Sequence, residues 1–284
     1  MLTDSKIRSA KSLVKSYKLT DSQGLYLMVS SSGAKLWYFR YRHAVQQGLI
    51  KYNPAYDLEG VVAPVVTQHH PALPLKRLPE LLEKMNVYKG RGLTRLALEL
   101  KLHVFLRSSE LRLARWDEFN LKAHIWTVPA KREAVKGVRF SERGAKMKDE
   151  HLVPLSRQAV ALLKQIQAIS GESVFVFPGA HTLNKPMSEN TINKALRVMG
   201  YDTKTEVCGH GFRTMACSAL NESGRWSKDA IERQERNGVR AAYVHKAEHL
   251  EARIEMMQWW ADYLDASREG YVAPYIYARQ HQVA

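Results

Sequence analysis

Polar and apolar positions alternate along the chain first with the period of a strand and then with that of a helix. Residues 18–42, KLTDSQGLYLMVSSSGAKLWYFRYR, hold two runs of aromatic and aliphatic residues split by the turn residues SSSG, which predicts a hairpin. In the second run Leu36, Tyr38, Arg40 and Arg42 share one face, and Trp37, Phe39 and Tyr41 the other. HAVQQGLIKYNPAYDL then reads as the end of a helix, with Gly48 as its stop and Asn53-Pro54 as a turn. VVAPVVTQHHPALP carries Pro64, Pro71 and Pro74 without a helical period, and reads as an extended linker. Beyond it LPLKRLPELLEKM is amphipathic, and GLTRLALELKLHVFL is apolar enough for a core helix.

The pattern continues with a short strand, HIWTVPA. RGAKMKDEHLVPLS pairs with it through a turn near Lys148-Asp149. SRQAVALLKQIQAI predicts a helix capped by Ser156, and SVFVFPG a short extended segment. SENTINKALRVMG predicts a capped helix ending at Gly200. HGFRTMACSALNESG predicts another, ending at Gly224. EHLEARIEMMQWWADYLDA predicts a late helix with a broad apolar face. No internal repeat is visible. The fold class expected is α+β, mainly helical with a small sheet after residue 73 and β-rich before it.

Composition changes this picture in one respect. Hydrophobic residues make up 45% and charged residues 25% of 284, which suits a globular protein and excludes wholesale disorder. Lys and Arg number 43 against 28 for Asp and Glu, a net charge of +15. The excess is spread over folded-looking segments, which favours a broad surface for a polyanion over a membrane-binding helix. Cys208 and Cys217 have neither a disulfide-framework nor a zinc spacing, so a reducing compartment is expected. No apolar run reaches the roughly 18 residues of a membrane span, and MLTDSKIRSAKSL lacks the apolar core of a secretory signal.

Several polar groups invite a chemical reading, each beside a plainer one. Arg107 and Glu110 in FLRSSELRLARW fit a surface helical ion pair. Lys148 in GAKMKDEH fits a solvated turn lysine, or a mobile ammonium reaching a phosphate. His210 and Arg213 in HGFR share a helix face at its start, where an anion is favoured; an ordinary helix start is the alternative. Tyr243 in VRAAYVHK, alone, is a packed aromatic. Together the set suits metal-free phosphoryl transfer. Guanidiniums grip non-bridging oxygens, a lysine protonates a leaving oxygen, and nearby cations or a base activate the tyrosine. No carboxylate cluster has metal-ligand spacing, which argues against a two-metal nuclease.

The order Arg107, Lys148, His210-x-x-Arg213, Tyr243 resembles the tyrosine recombinase family, specifically P4-type phage integrases. LTDSKIRSAK with the hairpin segment resembles their arm-binding domain, AVQQGLIKYNPAYDL the last helix of their core-binding domain, and the later blocks their catalytic domain. The resemblance implies a truncated arm-type domain at 1–42, a core-binding remnant at 43–62, a linker at 63–72 and a catalytic domain at 73–284. It implies Arg107 and Arg213 as the catalytic arginines, Glu110 in support, Lys148 as general acid, His210 in acid–base work and Tyr243 as the nucleophile of a 3′-phosphotyrosyl intermediate. It implies no cofactor or metal, double-stranded attachment-site DNA as partner, a homotetramer on paired sites, a host DNA-bending protein and an excisionase as further partners, and a cytoplasmic, nucleoid-associated location.

Two junctions depart from the family pattern. At Arg42–His43 the arm-type and core-binding blocks abut, where the family carries more than a hundred additional residues. At Gln234–Glu235 about four residues, including a second active-site histidine, are missing; His245 and His249 belong to a different motif. These junctions leave a second expectation, an impaired DNA-binding remnant of an integrase.

Overall fold

The computed structural model describes residues 2–13, 15–21, 25–39, 45–49, 51, 70–145, 149–235 and 250–281. The chain divides into two compact units, Met1–Gln68 and His69–Ala284.

The first unit starts with a short helix α1 (Asp4–Ser9), whose first turn is held by the Thr3 side chain accepting the Lys6 N–H. Strands β1 (Tyr17–Thr20), β2 (Leu25–Val29) and β3 (Lys35–Phe39) form an antiparallel meander. The expected hairpin is the β2–β3 pair, with Val29 opposite Lys35 and Leu25 opposite Phe39. Tyr26 sits opposite Tyr38 and the two rings stack at 5.4 Å. Leu27 and Val29 are buried. Lys35 ties the sheet to α1 by donating from Nζ to the carbonyls of Ile7 and Arg8, at 2.8 and 3.0 Å.

The second unit is built around one helix. After α2 (Leu78–Asn86), α3 (Gly92–Val104) runs through the core and packs against α2 and four later helices. From Leu96 to Val104 only Glu99 is not fully buried, so this helix is enclosed on all sides, as a central helix must be. A non-glycine residue in the left-handed region, Phe105 (φ 36°), ends it and turns the chain into α4 (Ser108–Arg112). Strands β4 (Phe119–Asn120), β5 (Ile125–Val128) and β6 (His151–Pro154) form the small antiparallel sheet in that order, so HIWTVPA pairs with HLVP as expected. Buried Glu118 anchors it by accepting from Trp126 Nε1 at 2.9 Å and from an Arg132 guanidinium nitrogen at 2.8 Å.

Helix α5 (Arg157–Ser170) is capped by Ser156, whose hydroxyl accepts the Ala159 N–H at 3.1 Å. SVFVFPG is no strand. Its residues make isolated bridges, Arg115 with Phe175 and Pro178 with Pro186, because its neighbours there are connecting segments instead of a sheet edge. Helix α6 (Thr191–Val198) starts at Asn190 without the expected side-chain cap bond. Helix α7 (Gly211–Ser223) ends at Gly224 with φ +68°, the left-handed stop that the sequence predicts. Then come α8 (Lys228–Glu235), α9 (Leu250–Ala266) and α10 (Pro274–Gln280), of which α10 packs on α7. Trp226, Trp259, Tyr263 and Tyr277 interlock at ring separations of 5.3 to 5.6 Å, with Trp259 and Tyr263 parallel.

His103 on α3 is buried and its Nδ1 has no hydrogen-bond partner among the described residues. Burial, more than the nearby Asp265 and Arg268 charges, pushes it down to about 4. The unfolded chain takes up this proton at a histidine's ordinary value of about 6.5, the folded chain only near 4, so stability falls as pH drops through that window. We expect His103→Leu to remove up to about 1.4 kcal/mol of this loss per pH unit, measured as denaturant unfolding at pH 6.5 and 4.5 against the parent.

Candidate active site

Two helix starts, far apart in sequence, come together in one cluster of charged side chains. The first follows the Phe105 turn. Arg107 occupies the cap position of α4, and its backbone N–H donates to the Glu110 carboxylate at 3.1 Å. Its guanidinium lies 3.6 Å from that carboxylate, an ion-pair distance too long for a hydrogen bond. The pair is not the surface pair that the spacing alone suggests. Its side chains are 13% and 3% exposed, because α4 is launched from the buried end of α3.

The second start is α7. His210 stands at its cap position, with its side chain making no capping bond, and Arg213 follows one turn on. Arg213 is buried to 2%. Gly211 allows this start to approach the segment before α2, since a Cβ there would lie 2.1 Å from the Pro71 carbonyl oxygen. The same carbonyl accepts the Cys208 N–H at 3.2 Å.

Sequence reasoning missed two residues. Lys101 is completely buried on α3, and its Nζ donates to the Leu106 carbonyl at 2.9 Å, bracing the turn that delivers Arg107. Burial holds its ammonium down to about 7, against the pull of the Glu110 charge and with the push of Arg213. A lysine inside a largely apolar helix gives a sequence signal of its own: in LALELKLHVFL, Lys101 has no carboxylate three or four positions away within the helix, and Glu99 at two positions faces elsewhere. The other missed residue is His70, whose ring contacts that of His210 at 4.3 Å between centroids. Its partner lies far along the chain, so no local pattern reveals it.

His210 is pushed down to about 4, first by burial and then by the charges of His70, Arg213, Lys101 and Arg107. At neutral pH it is therefore an uncharged imidazole, with one nitrogen able to accept a proton, set in a cationic pocket. Such a pocket suits an incoming phosphate: the cations meet its charge, and the neutral ring can take or share a proton. The structure thus brings Arg107, Glu110, His210 and Arg213 into one site. Lys148, Tyr243 and the Arg42–His43 junction lie outside the described residues, whereas Gln234 and Glu235 form the last residues of α8. A separate cavity of about 500 Å3, edged by Tyr88, Arg91, His181 and Lys194, includes none of the four. Among the described residues no group of three or more His, Cys, Asp or Glu side chains could hold a metal ion, and no helix is long and apolar enough to cross a membrane.

Residues 72–247 match the phage integrase family, and residues 2–62 match an arm DNA-binding domain. Over 242 residues the chain is 62% identical to the protein IntB of Escherichia coli (strain K12), covering 84% of this chain and 61% of that one. It is 60% identical over 236 residues to the integrase of Enterobacteria phage P4, covering 82% of this chain and 54% of the relative. The aligned part thus spans little more than half the length of these relatives. Among solved structures, the Tn1549 transposon integrase in complex with transposon right end DNA shares the fold, with a TM-score of 0.52 at 15% identity over 76% of this chain and 74% of that one.

Lys101 gives the site a pH signature. Unfolded, its amine holds a proton to about 10.4; folded, it releases it near 7, so stability rises with pH between the two values. In Lys101→Met this component is absent. Across pH 7 to 9 the stability difference between parent and variant is expected to change by up to about 1.4 kcal/mol per pH unit, read from urea unfolding.

Proposed function

The chain belongs to the phage integrase family, and on that premise we propose that it is a site-specific DNA strand transferase working through a 3′-phosphotyrosyl intermediate. The observation that supports this most is the burial of Arg213 beside a half-buried, uncharged His210, with Arg107 and Glu110 delivered to the same pocket. In this reading the Tyr243 hydroxyl oxygen attacks the scissile phosphorus. As the tyrosyl ester forms, the bond to the 5′ oxygen breaks. His210 takes the tyrosine proton and Lys148 gives one to the departing 5′ oxygen. Arg107 and Arg213 hold the non-bridging oxygens as charge grows on them, and Glu110 orients Arg107. Attack by a 5′ hydroxyl of the partner duplex reverses the step, so bond energy is conserved without ATP or metal.

The domain division proposed for this activity is an arm-type segment at 1–42, a core-binding remnant at 43–62, a linker at 63–72 and the catalytic domain at 73–284; the arm-domain match runs on to residue 62. The partners proposed are attachment-site DNA, three further copies of the chain on paired sites, a host DNA-bending protein and an excisionase. The setting is the nucleoid in the bacterial cytoplasm. The net charge of +15 supports the DNA partner.

A second reading keeps DNA binding and drops cleavage. It is favoured by the shortfall in length against IntB and the P4 integrase and by the junction at Gln234–Glu235. One experiment separates the two. The protein is incubated with a nicked attachment-site duplex that traps the covalent intermediate, and denaturing gels report adduct. We expect a protein–DNA adduct that Tyr243→Phe abolishes and that forms about 100- to 1,000-fold more slowly in Arg213→Ala, the usual cost of losing one preorganised donor at developing charge. A salt-dependent gel shift without any adduct selects the second reading.

A further inference from the structure

His70 stands in a constructed position. Its neighbour Pro71 accepts the Cys208 N–H at 3.2 Å, and the Pro71 carbonyl fills the space that any side chain at residue 211 would need. The segment before α2 is thereby pinned to the start of α7. This pinning sets the exposed His70 ring against His210, with centroids 4.3 Å apart and planes tilted by 47°. A tilted ring contact is no hydrogen bond, so His70 leaves both His210 nitrogens to other partners while it covers one face of the ring.

We propose that His70 is a positioning residue for His210: it holds the imidazole orientation and keeps one face of the ring from water. The proposal deepens the strand-transfer reading and rests on it for its catalytic meaning. Four groups act on His210 from the elements around it: His70 from the segment before α2, Lys101 from α3, Arg107 from the start of α4 and Arg213 from α7 itself. Three are cations fixed in the interior or near it. His70 is the exposed member, and the one whose removal opens the pocket to water. With it gone, His210 is hydrated on that face and holds its proton at higher pH.

The test is a titration of the histidine C2–H signals by NMR in the full chain, with His210 assigned by its loss in His210→Asn. In the parent, His210 should titrate well below the ordinary histidine value of about 6.5. In His70→Ala its midpoint should rise by about one pH unit, a tenfold change in proton affinity. In His70→Phe, which keeps an aromatic cover without a titrating group, most of the depression should remain. A His70→Ala midpoint equal to that of the parent overturns the proposal, as does an equal rise in both variants. Thermal unfolding checks that each variant folds, and His70→Gln replaces one that does not. The acid limb of adduct formation with the nicked duplex should follow the NMR midpoint. If the parent forms no adduct, the strand-transfer reading fails on its own, while the NMR titration still decides the role of His70.

Discussion

Holding several cations out of water within one small pocket is the constraint around which the second unit is organised. Lys101 and Arg213 are buried, Arg107 nearly so, and Glu110 is the carboxylate set among them. Desolvating charge is costly unless it is paired and hydrogen-bonded. The local structure meets that cost. Lys101 is bonded to the Leu106 carbonyl and its ammonium is pushed down to about 7, while Glu110 accepts the Arg107 N–H beside its guanidinium. Phe105 accepts a left-handed backbone, at about 1–2 kcal/mol, so that the turn can place these groups where they are. A pocket whose cations stand ready needs little rearrangement when an anion arrives, which is how preorganised electrostatic stabilisation operates.

Much of the scaffold was legible because it follows local rules. The β2–β3 hairpin shows in its turn residues, α5 in Ser156, and the end of α7 in Gly224. His210 and Arg213 were legible as a pair for the same reason: three residues of spacing at a helix start fix a shared face. What escaped is non-local. The interior position of α3 was legible, but the burial of Arg107 and Glu110 depends on the Phe105 turn that keeps the chain inside, which the spacing of the pair does not encode. SVFVFPG was legible as extended chain, but that it forms only isolated bridges depends on the distant segments beside it, which its composition does not show. His70 meets His210 because Gly211 lets two backbones touch, and a glycine in HGFR looks the same whether or not something lies against it.

The family assignment and the length of the chain bear on different questions. The match over residues 72–247 places the chain in the phage integrase family, and the 62% identity to IntB runs over 84% of it. The relatives are nonetheless much longer than the part that aligns. The buried arginine pocket lies wholly within the second unit and is assembled from α3, α4, α7 and the segment before α2. Its charge balance is therefore a property of that unit, whatever the relatives add elsewhere.

The interlocked rings of Trp226, Trp259, Tyr263 and Tyr277 have an optical consequence. Aromatic groups held in fixed, asymmetric contact give near-ultraviolet circular dichroism, and that signal vanishes when side-chain packing loosens even if helices persist. These rings join the stretch after α7 to α9 and α10, the two helices that follow residues 236–249 in the chain. The protein therefore carries an intrinsic, label-free reporter on the packing of its last two described helices. It would register in real time whether α9 and α10 stay docked on α7.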